Sequence, residues 1–274
     1  MRIEQLLPYI THDRVVSEII LADILEKDRS FLFAHPEYKI PDPKLDKIKS
    51  RIERMNNHEP LAYILGYKEF YGLKFFVDKR VMIPRHDTEE LVDQVLNYVR
   101  SRISTKPIKI CDVGTGGGCI AITLANKLPQ AKIYATDISK KALNVAKKNA
   151  KYHNVENVVL PNVTPGISTF SRSNKLSLEN KITFLKGDLL NPLPERVDVI
   201  VANLPYIKTN KIDNLDPQIS EWEPRISLDG GKDGKSLYNQ LFSQASYHLK
   251  TNGIIFYEID GKIYIKTFKD LRDT

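Results

Sequence analysis

The tetrapeptide Asn203-Leu204-Pro205-Tyr206 closes a largely apolar run over residues 197–202. A buried strand ending on Asn-x-Pro-Tyr carries a side-chain amide oxygen and two backbone carbonyls on a loop stiffened by proline, with an aromatic ring beside them. That set of acceptors suits a planar NH2 donor. The lone pair of an amide or arylamine nitrogen is delocalised and attacks a methyl group poorly. Accepting both N–H bonds fixes the nitrogen, favours pyramidalisation and aims its lone pair at an electrophilic carbon. No strong base is needed before attack, because the proton becomes acidic as the new bond forms. A proline turn ending a buried strand accounts for the same residues without chemistry.

Three further signals lie upstream. Asp112-Val-Gly114-Thr115-Gly116-Gly117-Gly118 follows a short apolar run and opens the helical pattern CIAITLANKL. Glycines there let the backbone turn sharply and approach a ligand, and the helix start supplies free amide donors. A dinucleotide fingerprint would put its third glycine at position 119, which is Cys119. The spacing suits a ligand without a pyrophosphate, such as S-adenosylmethionine; a tight ligand-free turn is the plainer alternative. Asp137, just past a second strand, is placed to accept ribose hydroxyls, and Asp188, past a third, to meet an adenine amino group. Each acid alone reads as a loop or N-cap residue. In register after successive strands they form a joint cofactor signal.

These residues need a parallel sheet to hold them, and the sequence supplies its pattern. Strands are expected over 108–113, 132–136, 182–186, 197–202 and 253–259, separated by helical segments, one of which begins near Thr88. This is an α/β class with helices on both faces. Residues 160–179 are polar and aperiodic and read as a long surface loop. The first ~58 residues carry apolar stripes at helical spacing (Val15, Val16, Ile19, Ile20, Ala22, Ile24, Leu25; then Leu45, Ile48, Ile52) around a proline-rich loop. From Glu69 the aromatic stretch EFYGLKFFVDKR reads as a hairpin. The expected division is a helical domain over 1–66, a hairpin linker over 67–87 and a larger domain over 88–274.

Composition narrows the class. The 274 residues are 42% hydrophobic and 27% charged, which is ordinary for a globular protein. Two cysteines exclude a disulfide framework and a zinc ribbon, and Cys111 and Cys119 read as buried strand and helix residues. The six histidines show no ligand spacing, so no metal is expected. No apolar run approaches a bilayer span and the N-terminus lacks a signal pattern, so a cytoplasmic protein is expected. The 41 basic against 34 acidic residues give +7, which invites a nucleic-acid reading. Five of the lysines (140, 141, 147, 148, 151) fall on one face of a helix opposite Leu143, Ala146 and Ala150, as a solvated outer face does.

Taken together, the chain resembles the HemK/PrmC family of N5-glutamine methyltransferases, which modify peptide-chain release factors. EPLAYILGYKEFYGLKFFVDKRVMIPRHDTEELV (59–92) looks like that family's linker hairpin and Ile-Pro-Arg-x-x-Thr-Glu segment. The glycine loop looks like its Asp-Leu-Gly-Thr-Gly-Ser-Gly, and Glu223-Pro-Arg-x-x-Leu-Asp-Gly-Gly like a late family stretch. SEIILADILEKDRSFLFAHPE (17–37) is similar to the family's front helices. The resemblance implies a Rossmann-like class I methyltransferase sheet with S-adenosylmethionine as donor. It implies cofactor contacts at Asp112, Gly114, Thr115, Gly116, Gly117, Gly118, Asp137, Asp188, Leu189 and Asn203. It also implies substrate contacts at Asn203, Leu204, Pro205, Tyr206 and Arg85, with Asn203, Pro205 and Tyr206 serving catalysis. Thr88 and Glu89 would brace the wall beside Arg85, although Arg85 reads equally as an interdomain ion-pair residue. The partner implied is a release factor docked on the helical domain of a monomer, with no obligatory nucleic acid and no membrane.

The sequence departs from the family in three places. Leu204 stands where the family usually has a proline, leaving the loop less stiffened. The loop over 160–179 is longer than the family's. After residue 260, GKIYIKTFKDLRDT reads as a helix, so the sheet is expected to stop at five strands, short of its closing antiparallel hairpin. Three alternatives follow: an adenine-N6 methyltransferase acting on RNA, which also uses Asn-Leu-Pro-Tyr; a methyltransferase of a ribosomal-protein glutamine; and a cofactor-binding scaffold without turnover.

Overall fold

The computed structural model describes residues 1–11, 13–102, 107–155 and 182–272; the expected loop over 160–179 lies outside them. The chain opens with α1 (Ile3–Leu6), α2 (Arg14–Leu25), α3 (Arg29–Ala34), α4 (Asp42–Asn56) and α5 (Leu61–Leu65). Asp13 starts α2 by accepting the N–H groups of Val15 and Val16, as an N-cap does. The two predicted stripes meet in one core, where Ile20, Leu21, Ile24 and Leu25 of α2 pack with Ile3, Leu32, Ile40 and Ile48.

A two-stranded hairpin follows, β1 (Tyr67–Phe70) against β2 (Leu73–Phe76). Its turn is Tyr71-Gly72, both with positive φ, the twist a two-residue hairpin loop demands. The Asp78-Lys79 pair lies beyond the strands, and residues 77–87 run without regular structure into the next helix.

The larger unit alternates as expected: α6 (Thr88–Arg100), β3 (Lys109–Val113), α7 (Cys119–Lys127), β4 (Lys132–Asp137), α8 (Lys140–Tyr152), β5 (Thr183–Lys186), β6 (Val197–Ala202), α9 (Pro217–Ser220), α10 (Ser236–His248), β7 (Leu249–Ile259) and β8 (Lys262–Thr267). The strand order is β5-β4-β3-β6-β7-β8, parallel except for β8. Neighbouring residues of one strand serve opposite cores. Ile110, Val199 and Val201 pack under α6 and α7, while Cys111, Val113, Ile200 and Ala202 pack under α10. Burial on both faces explains the near-continuous apolar strands. The lysines of α8 face outward, and Leu143, Ala146 and Ala150 are buried, as the helical spacing implied.

The segment after residue 260 corrects the expectation of a helix and of an uncovered β7. β8 pairs antiparallel along β7 from Ile259↔Lys262 to Ile254↔Thr267. Asp260 and Gly261 take positive φ in a two-residue turn, and Ile263 and Ile265 alternate with Lys262, Tyr264 and Lys266 at strand period. One antiparallel strand of the closing hairpin is therefore present. Its outer edge carries Lys262 and Lys266, the charges that discourage edge-to-edge pairing.

Candidate active site

Strand order places β3 between β4 and β6, whose connections leave in opposite directions, and a crevice opens beyond the carboxyl ends of such strands. A cavity of about 730 Å3 lies there, within the ~300–1,000 Å3 usual for small-molecule sites. Gly114, Thr115, Gly116 and Gly117 line it after β3, Asp137 after β4, Asp188 and Leu189 after β5, and Asn203, Leu204 and Pro205 after β6. Arg85 and Thr88 form part of the opposite wall. Asp112 and Gly118 stand behind this wall. Tyr206 lines a second cavity of about 140 Å3, which shares Arg85, Asn203, Leu204 and Pro205 with the first.

The glycine loop is locked from beneath and beside. Gly114 and Thr115 both donate to Thr136 O at 2.9 Å. Asp112 Oδ2 accepts Thr115 Oγ1 at 2.6 Å and Ala121 N at 3.1 Å, tying the loop to α7. Asp112 Oδ1 is buried without a partner, and burial pushes the carboxyl up to about 7. Gly114 has φ +71°, and a Cβ there would sit 2.7 Å from Leu204 Cδ2. The loops after β3 and β6 thus interlock, with Gly114 making room for Leu204.

Asp137 uses one carboxylate oxygen on Gly116 N (2.8 Å) and the other on Ser139 N (2.7 Å). Burial raises its pKa, partly offset by these two amides. Each oxygen keeps a further lone pair for a hydroxyl. Asp188 is exposed beside the cavity, its Oδ2 reached by Gln244 Nε2 at 3.3 Å. A glycine-lined wall, amides at a helix start and two acids at successive strand ends fit a nucleoside-bearing cation such as S-adenosylmethionine.

Asn203 is held on one side only. Its Nδ2 donates to Thr88 Oγ1 at 2.9 Å and to Glu258 Oε2 at 3.0 Å. No hydrogen bond to its Oδ1 forms among the described residues. Sheet register explains the approach to Glu258: Ala202 of β6 pairs with Tyr257 of β7, so the next residue of each strand lies side by side. Glu258 is 3% exposed, and burial raises its pKa.

Leu204 compensates for the absent proline. Its N–H donates to the buried Tyr238 hydroxyl at 2.9 Å, and that hydroxyl donates to Glu258 O. A proline has no N–H to give, so this loop is anchored by a bond instead of a ring. The late stretch braces it from outside. Ile207 N donates to Leu228 O, Gly230 N to Ile207 O and Thr209 N to Gly231 O. A Cβ at Gly230 would lie 2.7 Å from Tyr206 Cα and 2.8 Å from Pro205 O.

Arg85 pairs with the buried Glu223 at 2.5 Å, and Glu223 also accepts Ile83 N at 3.3 Å. Arg85 thus forms an ion pair while also lining both cavities. Glu89 accepts Tyr71 N at 2.8 Å and ties α6 to the hairpin turn. Cys111 is buried on β3, and Cys119 opens α7 at the cavity wall. Among the described residues no cluster suits a metal ion, and no helix is long and apolar enough to cross a membrane.

Two groups escaped the sequence reading. Glu258 was visible only as an acid inside the apolar run 253–259, and Tyr238 had no signal, being one aromatic among many.

Several known proteins are similar to this chain. A family model described as the PrmC N-terminal domain matches residues 4–66, and a methyltransferase domain model matches residues 104–162. The release factor glutamine methyltransferase of Thermodesulfovibrio yellowstonii is 36% identical over 242 residues, covering 88% of this chain and 77% of that protein. The enzyme of the same name from Geobacter sulfurreducens is 33% identical over 251 residues, covering 91% and 78%. Among solved structures, a methyltransferase from Pyrococcus furiosus superposes with a TM-score of 0.44 at 15% identity, over 82% of this chain and 83% of that one. At this identity and span, the chain belongs to the release factor glutamine methyltransferase family.

Proposed function

We propose that the protein transfers a methyl group to the side-chain amide nitrogen (N5) of the glutamine in the Gly-Gly-Gln motif of a peptide-chain release factor. The observation that carries this reading is Asn203, whose Nδ2 is fully committed to Thr88 and Glu258 while Oδ1 is left for the two cavities it lines. Gly114, Thr115, Gly116, Gly117, Asp137, Asp188 and Leu189 would hold S-adenosylmethionine, which would supply the methyl group as its sulfonium S–C bond breaks, leaving S-adenosylhomocysteine while the surplus amide proton passes to solvent. Asn203 Oδ1 and a carbonyl of the Leu204-Pro205 pair accept the two N–H bonds of the substrate amide, fix its nitrogen and favour its pyramidal form. The Leu204 carbonyl retains acceptor capacity, since the one proton of the nearby Tyr238 hydroxyl goes to Glu258 O. Tyr206 bounds the second cavity, where the substrate side chain enters.

The helical segment over 1–66 docks the release factor, residues 67–87 link it, and 88–274 carry the chemistry of a monomer needing no nucleic acid. The anchored Leu204 and the strand β8 support turnover rather than a silent scaffold. Mass mapping of a purified release factor incubated with the protein and S-adenosylmethionine tests this, with one methyl group expected on the motif glutamine. Methylation of naked ribosomal RNA in its place would refute it. Asn203→Ala is expected to lower turnover by about 100-fold or more, the order seen when one stabilising hydrogen-bond group is removed, while donor affinity falls modestly. A near-normal rate would eliminate the amide clamp.

A further inference from the structure

A side-chain amide presents a donor end and an acceptor end of nearly the same shape, and which end faces a ligand depends on what holds the other. In this site the holding groups are Glu258 and Thr88. An ionised carboxylate only accepts hydrogen bonds, so it takes the NH2 end of Asn203 and no other. Thr88 accepts from the same nitrogen. Glu258 is itself placed by three elements. Register along β6 sets it beside Asn203, its carbonyl accepts the Tyr238 hydroxyl from α10, and its backbone pairs with Ile263 of β8.

We propose that Glu258 is the positioning residue that sets the substrate selectivity of the site. By holding Asn203 Nδ2, it keeps Oδ1 toward the substrate, so the site accepts a side chain that donates two N–H bonds and rejects one that only accepts. This rests on the reading of Asn203 given above. A glutamine enters such a site with its NH2 satisfied. A glutamate, nearly the same shape, brings a carboxylate against an acceptor oxygen, and both are left without hydrogen. Discrimination of this kind is large because buried polar groups go unpaired.

Glu258→Gln is the discriminating variant. The amide it introduces can offer either a carbonyl or an NH2 to Asn203, so the amide of Asn203 becomes free to flip end for end. The rate of methyl transfer is expected to fall by about 10- to 100-fold, the range typical of partners that orient a functional group. Calorimetric affinity for S-adenosylmethionine should stay near wild type, and the melting temperature should not fall. The telling measurement is competition by a release factor whose motif glutamine is replaced by glutamate. Its inhibition constant relative to KM for the glutamine form should be high in the wild type and approach equality in Glu258→Gln. A merely structural role for Glu258 would lower both affinities together and leave that ratio unchanged, which overturns the proposal. Should Glu258→Gln not fold, Thr88→Val removes the second acceptor and should move the ratio the same way by a smaller factor; an unchanged ratio there is equally fatal. If Asn203→Ala is inactive while Glu258→Gln keeps wild-type rate and selectivity, the positioning role alone fails. If Asn203→Ala remains active, the underlying reading fails with it.

Discussion

Asp112 lies at 1% exposure behind the glycine loop with one carboxylate oxygen unpaired. Desolvation lifts its pKa from 3.8 to about 7, so the folded protein holds this proton more tightly than the unfolded chain does. The effect on stability has a definite sign. Below the unfolded value both states are protonated and nothing is lost. Between about pH 4 and pH 7 the unfolded chain ionises first, and stability declines as pH rises. Above the folded value the loss is constant. Asp137, Glu223 and Glu258, all raised by burial, act in the same direction. Asp112→Asn keeps an oxygen for Thr115 and Ala121 and removes the ionisation. The variant should therefore gain melting temperature at about pH 7.5 and little at about pH 4.5. Thermal melts at the two pH values check this, and an identical pH slope in both proteins would remove Asp112 from the account.

The loop after β6 owes its shape to segments far away in the chain, and substitution there should act on chemistry before fold. Gly230 does not sit in the left-handed region, so Gly230→Ala carries no backbone strain; its methyl group would meet Tyr206 Cα and Pro205 O well inside contact distance. Overpacking of this kind costs about 1–3 kcal/mol, and a displacement of about 1 Å in a positioning loop lowers a rate by about 100-fold. Steady-state kinetics beside a denaturation curve should show the rate falling far more than stability; a purely thermodynamic loss would contradict the brace. The elements that carry the loop were readable because burial on both faces makes β3, β4 and β6 largely apolar, and Asn203, Asp137 and the glycines follow directly from where those strands stop. β8 was misread because its residues are mostly exposed and rich in lysine, which weakens any apolar period; the Asp260-Gly261 turn was the stronger sign. Glu258 and Tyr238 stayed hidden for another reason. Their roles exist only through register and packing with residues 55 and 34 positions away.

Tyr63 of the helical module packs beside the cavity wall. Tyr63, Val77, Val81, Ile83, Ala142 and Val145 form a small apolar cluster, with Trp222 packed against it. Tyr63 Oη donates to Val81 O at 2.5 Å, and Trp222 Nε1 donates to Asn57 O at 3.1 Å, just after α4. The next residue, Glu223, holds Arg85 and Ile83 at the same wall. One short segment therefore grips the front module with its first residue and the cavity wall with its second. A single hydrogen bond of this type contributes about 0.5–1.5 kcal/mol. Trp222→Phe keeps most of the ring's packing and gives up that bond, loosening the module against the cavity. On an intact release factor, which spans both units if it docks as proposed, kcat/KM should fall by about 2- to 10-fold. On a short Gly-Gly-Gln peptide, which reaches only the cavity, it should stay the same. Equal losses on the two substrates would mean that Trp222 acts on the wall itself, and the front module would then have no part in placing the substrate.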